Sequence, residues 1–199
     1  MLKVGITGGI GSGKTTVSKV FEVLGIPVFY ADVVAKEIMV TDLILMEGVR
    51  AAFGQESYSA AGVLNNKHIA NIVFNDTLQL EALNALVHPA VFRAFDTWIA
   101  GIPSTTPYIL KEAALLFESD SYKMCDTSIL VLAPEAVKLN RVMKRDQVTE
   151  EQVRARMNKQ LSDQQKLALA DHQIHNDESQ SIILQVMDLH TRFCHYKKP

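Results

Sequence analysis

Gly8-Gly9-Ile10-Gly11-Ser12-Gly13-Lys14-Thr15 sets glycines, a lysine and a threonine at the spacing G-x-x-x-x-G-K-[ST]. Each residue type serves the holding of a string of phosphates. Glycines let the backbone wrap closely around an anion with its N–H groups turned inward. The lysine can reach the β- and γ-phosphates, and the threonine hydroxyl is an oxygen ligand for Mg²⁺. The pattern predicts a nucleoside triphosphate held by Gly9, Ile10, Gly11, Ser12, Gly13, Lys14, Thr15 and Thr16, with Thr15 on the metal. Five of the ten glycines in this 199-residue chain fall within residues 5–13, and none follows Gly101. A glycine-rich turn that binds nothing would not need Lys14 and Thr15 where they stand.

Those residues need a strand before them and a helix after them, and the flanks supply both. Leu2-Lys3-Val4-Gly5-Ile6-Thr7 reads as a short buried strand. Val17, Val20, Phe21 and Leu24 follow at helical spacing, so a helix N-terminus adds partial positive charge beneath the loop. Pro27-Val28-Phe29-Tyr30 reads as a second strand, with Asp32 just past its end. There Asp32 is placed to orient or deprotonate an acceptor hydroxyl, and aspartate also caps helices well. Residues 32–100 show no good strand. Helices are expected from Thr41-Asp42 to Gly54, over 67–74, over 78–87, and from Pro89 to Trp98. Strands return at 108–110, 128–132 and 172–175. Between the last two, Pro134 opens a helix to about Arg145, and Thr149 with Gln152 marks a capped helix start. A final helix carries Ile182, Ile183, Val186, Leu189 and Phe193. Strands alternating with helices imply a parallel sheet with ligands at its C-terminal ends.

Composition narrows the class. The chain is 48% hydrophobic and 21% charged, enough to bury a full core. Its net charge of −2 gives no bulk electrostatic case for nucleic acid or an anionic membrane. Cys125 and Cys194 form no metal-ligand spacing and read as reduced thiols of a cytoplasmic protein. No signal peptide is expected, since the strand pattern begins at residue 2. No apolar run approaches the ~20 residues that span a bilayer. A monomer is expected.

Guanine recognition by N-K-x-D fails at Asn66-Lys67-His68-Ile69, and no D-x-x-G follows the loop. A small-molecule kinase remains, with residues 1–31 and 101–199 as nucleotide core, 32–100 as a helical acceptor-binding insertion, and a lid over about 141–166. Arg141 and Arg145 lie one helical turn apart on one face and read as lid residues that neutralise transferring phosphate. Asn176 follows the last strand, within reach of an adenine, although Asn-Asp is also a turn signal. Glu112 could hold Mg²⁺ through water or pair with Lys14 or Lys111. Another small-molecule kinase, or a nucleotide-gated binding protein without transfer activity, stays open on these residues alone.

The ordered set resembles the dephospho-coenzyme A kinases. It comprises the run from Gly5 to Val17, Leu24-Gly25, Ala31-Asp32, Phe53-Gly54, Val73-Phe74, His88-Pro89, Leu115-Leu116-Phe117-Glu118, Arg141 with Arg145-Asp146, Gln160, and Ala170-Asp171 before Asn176. The resemblance implies a three-layer α/β kinase fold on a five-stranded parallel sheet. It implies ATP and Mg²⁺, dephospho-coenzyme A as acceptor, and transfer to the ribose 3′-hydroxyl with Asp32 as the catalytic carboxylate. Asn66, Glu112, Ala114 and Lys138 depart from the residues usual at their places in that family.

Overall fold

The computed structural model describes residues 1–74 and 76–196. Asn75 and residues 197–199, inside the bounds expected for the insertion and the core, lie outside the described residues. The chain divides into two compact units, one of Met1–Tyr30 with Ile102–Pro199, the other of Ala31–Gly101.

The first unit is built on five strands: β1 (Leu2–Thr7), β2 (Val28–Tyr30), β3 (Tyr108–Glu112), β4 (Thr127–Leu132) and β5 (His172–His175). They pair in the order β2-β3-β1-β4-β5, and every pairing is parallel. β1 is central, with β3 on one side and β4 on the other. The chain therefore leaves β1 at the switch point of the sheet, where open α/β sheets form their ligand crevice. Alternate residues Leu2, Val4 and Ile6 face one side, where they meet Val17 and Phe21 of α1 (Lys14–Val23) and Val186, Leu189 and Phe193 of the C-terminal helix Ile182–Cys194. Phe21 and Tyr108 meet edge to face at 6.2 Å in this core. The near-complete burial of β1 suits its mostly apolar sequence, in which Lys3 is half-buried.

The second unit is helical: α2 (Ala31–Thr41), α3 (Leu43–Phe53), α4 (Asn66–Val73) and α5 (Thr77–Ala100). Its core joins Met39, Leu45, Met46, Val49, Phe53, Tyr58, Ile69 and Ala90. Asp42 caps α3 by accepting the Leu45 N–H at 3.0 Å and pairs with Arg93 at 2.7 Å. The Leu45 amide, then the Arg93 guanidinium, hold its carboxyl below the usual range.

One expectation for this unit changes. Residues 78–87 and 89–98 form one 24-residue helix, α5, with Pro89 inside it. An interior proline loses a ladder bond and crowds the preceding turn, at about 3 kcal/mol. The burial of Ala90, Val91 and Phe95 at 1%, 7% and 0% exposure follows at once. Burying a large apolar side chain contributes about 1.5–3 kcal/mol, so packing outweighs the break. Helix α2 is not among the expected elements, since it carries little sequence signal. Val33, Val34, Ile38, Val40 and Thr41 are β-branched, and only Ala31 and Met39 are buried.

In the first unit α6 (Glu135–Asp146) starts after Pro134, and α7 (Glu150–Met157) has the capping box expected of Thr149 and Gln152. Ser162 and Gln165 form a second capping box on α8 (Asp163–Leu167), a helix too short to show a periodicity. The C-terminal helix is α9. Cys125 and Cys194 are free thiols, and burial pushes the Cys125 thiol up to about 11. Among the described residues no helix is long and apolar enough to cross a membrane.

Candidate active site

The glycine loop turns from β1 into α1 through two left-handed positions, Gly11 at φ 80° and Gly13 at φ 92°. A side chain at Gly11 would meet the Lys138 carbonyl, and one at Gly13 would collide with the Asn176 carboxamide. Both glycines are thus required by backbone angle and by neighbours. Val17 N–H makes the first helical bond, to Gly13 O at 3.1 Å. The amides of Lys14, Thr15 and Thr16 precede it in the first turn, where helix N–H groups are placed to donate to an anion.

Lys14 Nζ donates to Gly8 O at 3.0 Å, folding over the loop it belongs to. Thr15 Oγ1 donates to Glu112 Oε1 at 3.0 Å. Glu112 is 7% exposed and ends β3, next to β1 in the sheet. The hydroxyl and the carboxylate are hard oxygen donors of the kind Mg²⁺ takes together with phosphate and water oxygens. The residues present therefore fit that ion. Among the described residues no group of three or more His, Cys, Asp or Glu could hold a metal, and a phosphate-bridged Mg²⁺ needs none.

Asn176 sits at the other end of the loop. Its Nδ2 donates to Ser12 O at 2.8 Å and its N–H to Leu132 O at 2.7 Å, so it braces the loop against β4. Arg141 NH1 donates to Asn176 O at 3.2 Å. The structure thus brings Arg141 and Asn176 together beside the loop. It does not bring Arg145 there. That side chain is 63% exposed, and its Nε donates to Asp146 Oδ1 at 2.7 Å. The side-chain bond to Asp146 raises the Arg145 pKa. Asp146 also pairs with Arg156 at 2.8 Å, while Arg154 pairs with Glu135 and Glu150. The basic face of 141–166 is largely ion-paired. Asp32 lies in the first turn of α2, within the helical unit and two residues after Tyr30 ends β2.

The loop also touches residues whose types alone did not mark them. Gln160 Oε1 accepts the Ile10 N–H at 2.9 Å. Lys138 Nζ pairs with Asp163 Oδ2 at 2.6 Å, and both side chains lie against Gly9. Behind them Glu118 accepts the Leu161 N–H at 2.9 Å and faces the fully buried Lys166 ammonium at 3.0 Å. Glu118→Ala leaves that ammonium buried without its counter-charge, which costs about 3 kcal/mol. A lower urea midpoint at unchanged slope is the expected reading. A midpoint equal to wild type would show that the pair does not fasten this segment.

A parallel sheet with a glycine loop at the end of its central strand, a lysine over that loop and a threonine–carboxylate pair beside it defines an α/β phosphate-loop nucleotide-binding protein. The crystal structure of TT1252 from Thermus thermophilus has a TM-score of 0.84 at 29% identity, covering 96% of both chains. A dephospho-CoA kinase structure from Campylobacter jejuni, 23% identical over 96% of both chains, shares the fold at a TM-score of 0.69. The dephospho-CoA kinase of Salinibacter ruber is 41% identical over 178 residues, 89% of each chain. The family model for dephospho-CoA kinase (CoaE) matches residues 2–181, and the chain belongs to that family.

Proposed function

We infer that the chain transfers the γ-phosphoryl group of ATP to the ribose 3′-hydroxyl of dephospho-coenzyme A, giving coenzyme A and ADP. The observation that carries this reading is the glycine loop with Lys14 Nζ on Gly8 O and Thr15 on Glu112, in a chain of the dephospho-CoA kinase family. The loop amides from Gly9 to Thr16 take the phosphates, and Lys14 exchanges Gly8 O for the β- and γ-oxygens. Thr15, with Glu112 behind it, would hold Mg²⁺, which when bound neutralises charge on the β- and γ-phosphates.

Asp32 accepts the proton of the 3′-hydroxyl as its oxygen bonds to the γ-phosphorus. The bond from that phosphorus to the bridging oxygen breaks, and ADP leaves with the electron pair. Arg141, beside Asn176, lies along the nucleotide. Arg145 leaves Asp146 when residues 141–166 close, and the helical unit 31–101 takes the acceptor. Closure excludes water, a competing acceptor for the phosphoryl group. Two free thiols suit the reducing cytoplasm.

A coupled ADP-release assay with and without dephospho-coenzyme A tests the reading. ADP release that depends on the acceptor supports it. Release that ignores the acceptor overturns it.

The lid assignment carries its own prediction. Arg145→Ala lowers kcat by about 10²-fold or more, with a much smaller rise in the KM for ATP, because its charge is needed most in the transition state. Arg145→Lys recovers part of the loss, since it keeps the charge without the planar fork. Hydrogen exchange over 141–166 slows when both substrates are added. An effect on KM alone, or equal protection in both states, would leave Arg145 as solvated surface.

A further inference from the structure

Lys14 and Lys138 bracket one end of the phosphate loop. Lys14 Nζ lies 3.0 Å from Gly8 O. This lysine serves the β- and γ-phosphates, so the contact marks the end of the loop where those groups lie. One residue along, Lys138 Nζ stands 3.3 Å from the point that a Cβ on Gly9 would occupy. Lys138 comes from α6 and is 6% exposed, an ammonium brought almost wholly out of solvent. Its partner is Asp163, at the start of α8, whose Oδ2 lies 2.6 Å from Nζ. Asp163 Oδ1 is also 3.3 Å from that point on Gly9. Both side chains line a polar cavity of about 620 Å³ beside Gly9, which also takes Arg154, Gln160 and Gln165.

A buried lysine needs an anion. Asp163 supplies one here, and a γ-phosphate at this end of the loop would supply another with more negative charge and more acceptor oxygens. The two anions compete for one ammonium. A carboxylate left bare at Gly9 would repel the phosphate.

We propose that Lys138 is a second cation for the terminal phosphate of ATP, kept at the loop by Asp163 and transferred to the γ-phosphate when the nucleotide binds. The proposal rests on the kinase reading for the identity of the nucleotide. Asp163 is then a positioning residue. It holds Lys138 in place without ligand and yields it to the triphosphate. A pair that only tied α8 to α6 would affect ATP and ADP alike, because it would have no means of sensing the third phosphate.

The experiment is calorimetric titration of ATP and of ADP, each with Mg²⁺ and without acceptor, into wild type, Lys138→Gln, Lys138→Arg, Asp163→Asn and the double variant. A charge-assisted hydrogen bond lost from the γ-phosphate raises the Kd for ATP about tenfold or more in Lys138→Gln, with ADP changed by less than about twofold. Asp163→Asn tightens ATP relative to ADP by about threefold or more, since the competing carboxylate is gone. The double variant binds ATP more tightly than Lys138→Gln alone, and Lys138→Arg keeps most of the wild-type preference for ATP. Equal shifts for ATP and ADP, or no shift in either, would overturn the proposal. If Lys138→Gln does not fold, the Asp163→Asn ratio decides alone, and an unchanged ratio overturns it. A wild-type chain that binds ATP but ignores dephospho-coenzyme A would refute the acceptor assignment and leave this test standing, because the ratio needs no acceptor.

Discussion

Lys14→Ala lowers kcat/KM for phosphoryl transfer by about a thousandfold or more while the melting temperature stays near that of wild type. The size follows from what the ammonium does. Phosphoryl transfer involves little covalent work by the protein, so positioning and charge stabilisation account for most of the rate. A charged donor removed from the transferring group costs about 10³–10⁵-fold in related phosphate-loop systems. The fold survives because Lys14 is half-buried at the mouth of the loop, outside the apolar core of β1, α1 and α9. The variant also separates two roles, since the loop amides remain and weak nucleotide binding persists through them. Activity and thermal melting should be measured on one preparation. Transfer near the wild-type rate would sink the phosphate-loop assignment. Lost activity with a collapsed melting temperature would mean that Lys14 supports the loop and not the phosphate.

Asp32→Asn gives the second large effect, a fall in kcat of about 10²–10⁴-fold, the range of a positioned general base. The asparagine keeps the size of the side chain and loses the charge and the proton-accepting oxygen. The affinity for ATP should hardly change, because Asp32 is assigned to the acceptor hydroxyl and not to the nucleotide. A helix-capping role alone would leave both kcat and stability nearly unchanged, since asparagine caps about as well as aspartate. Asp32 lies inside the first turn of α2, where a carboxylate also favours the helix dipole by about 0.3–1 kcal/mol. Stability should therefore fall slightly and turnover steeply. Unchanged kcat would reduce Asp32 to a helix-start residue.

Much of the site was legible because its signal is local. The glycine loop, the strand before it and the helix after it occupy one continuous stretch, and backbone angle dictates glycine at Gly11 and Gly13. The parallel sheet was legible for a similar reason, since buried strands and amphipathic helices alternate with short turns. Other features depended on distant partners. Gln160 meets the Ile10 amide across 150 residues of sequence, and a glutamine carries no mark of what its carboxamide will touch. Lys138 and Asp163 carry no local signal of a pair that forms only because α8 returns to Gly9. Arg145 illustrates the converse. Its helical spacing from Arg141 is as expected, yet neighbouring Asp146 holds its guanidinium away from the loop. Pro89 read as a helix start because proline is best tolerated there, whereas Ala90, Val91 and Phe95 pack well enough to carry α5 through it.

The most direct test of the central claim is to incubate the chain with γ-labelled ATP, Mg²⁺ and dephospho-coenzyme A, then locate the label in the product by phosphorus NMR and mass spectrometry. The account predicts a new phosphomonoester on the ribose 3′-oxygen of the acceptor, formed in equal amount with ADP. Label found in inorganic phosphate with the acceptor unchanged, or on any other position of the acceptor, would contradict it.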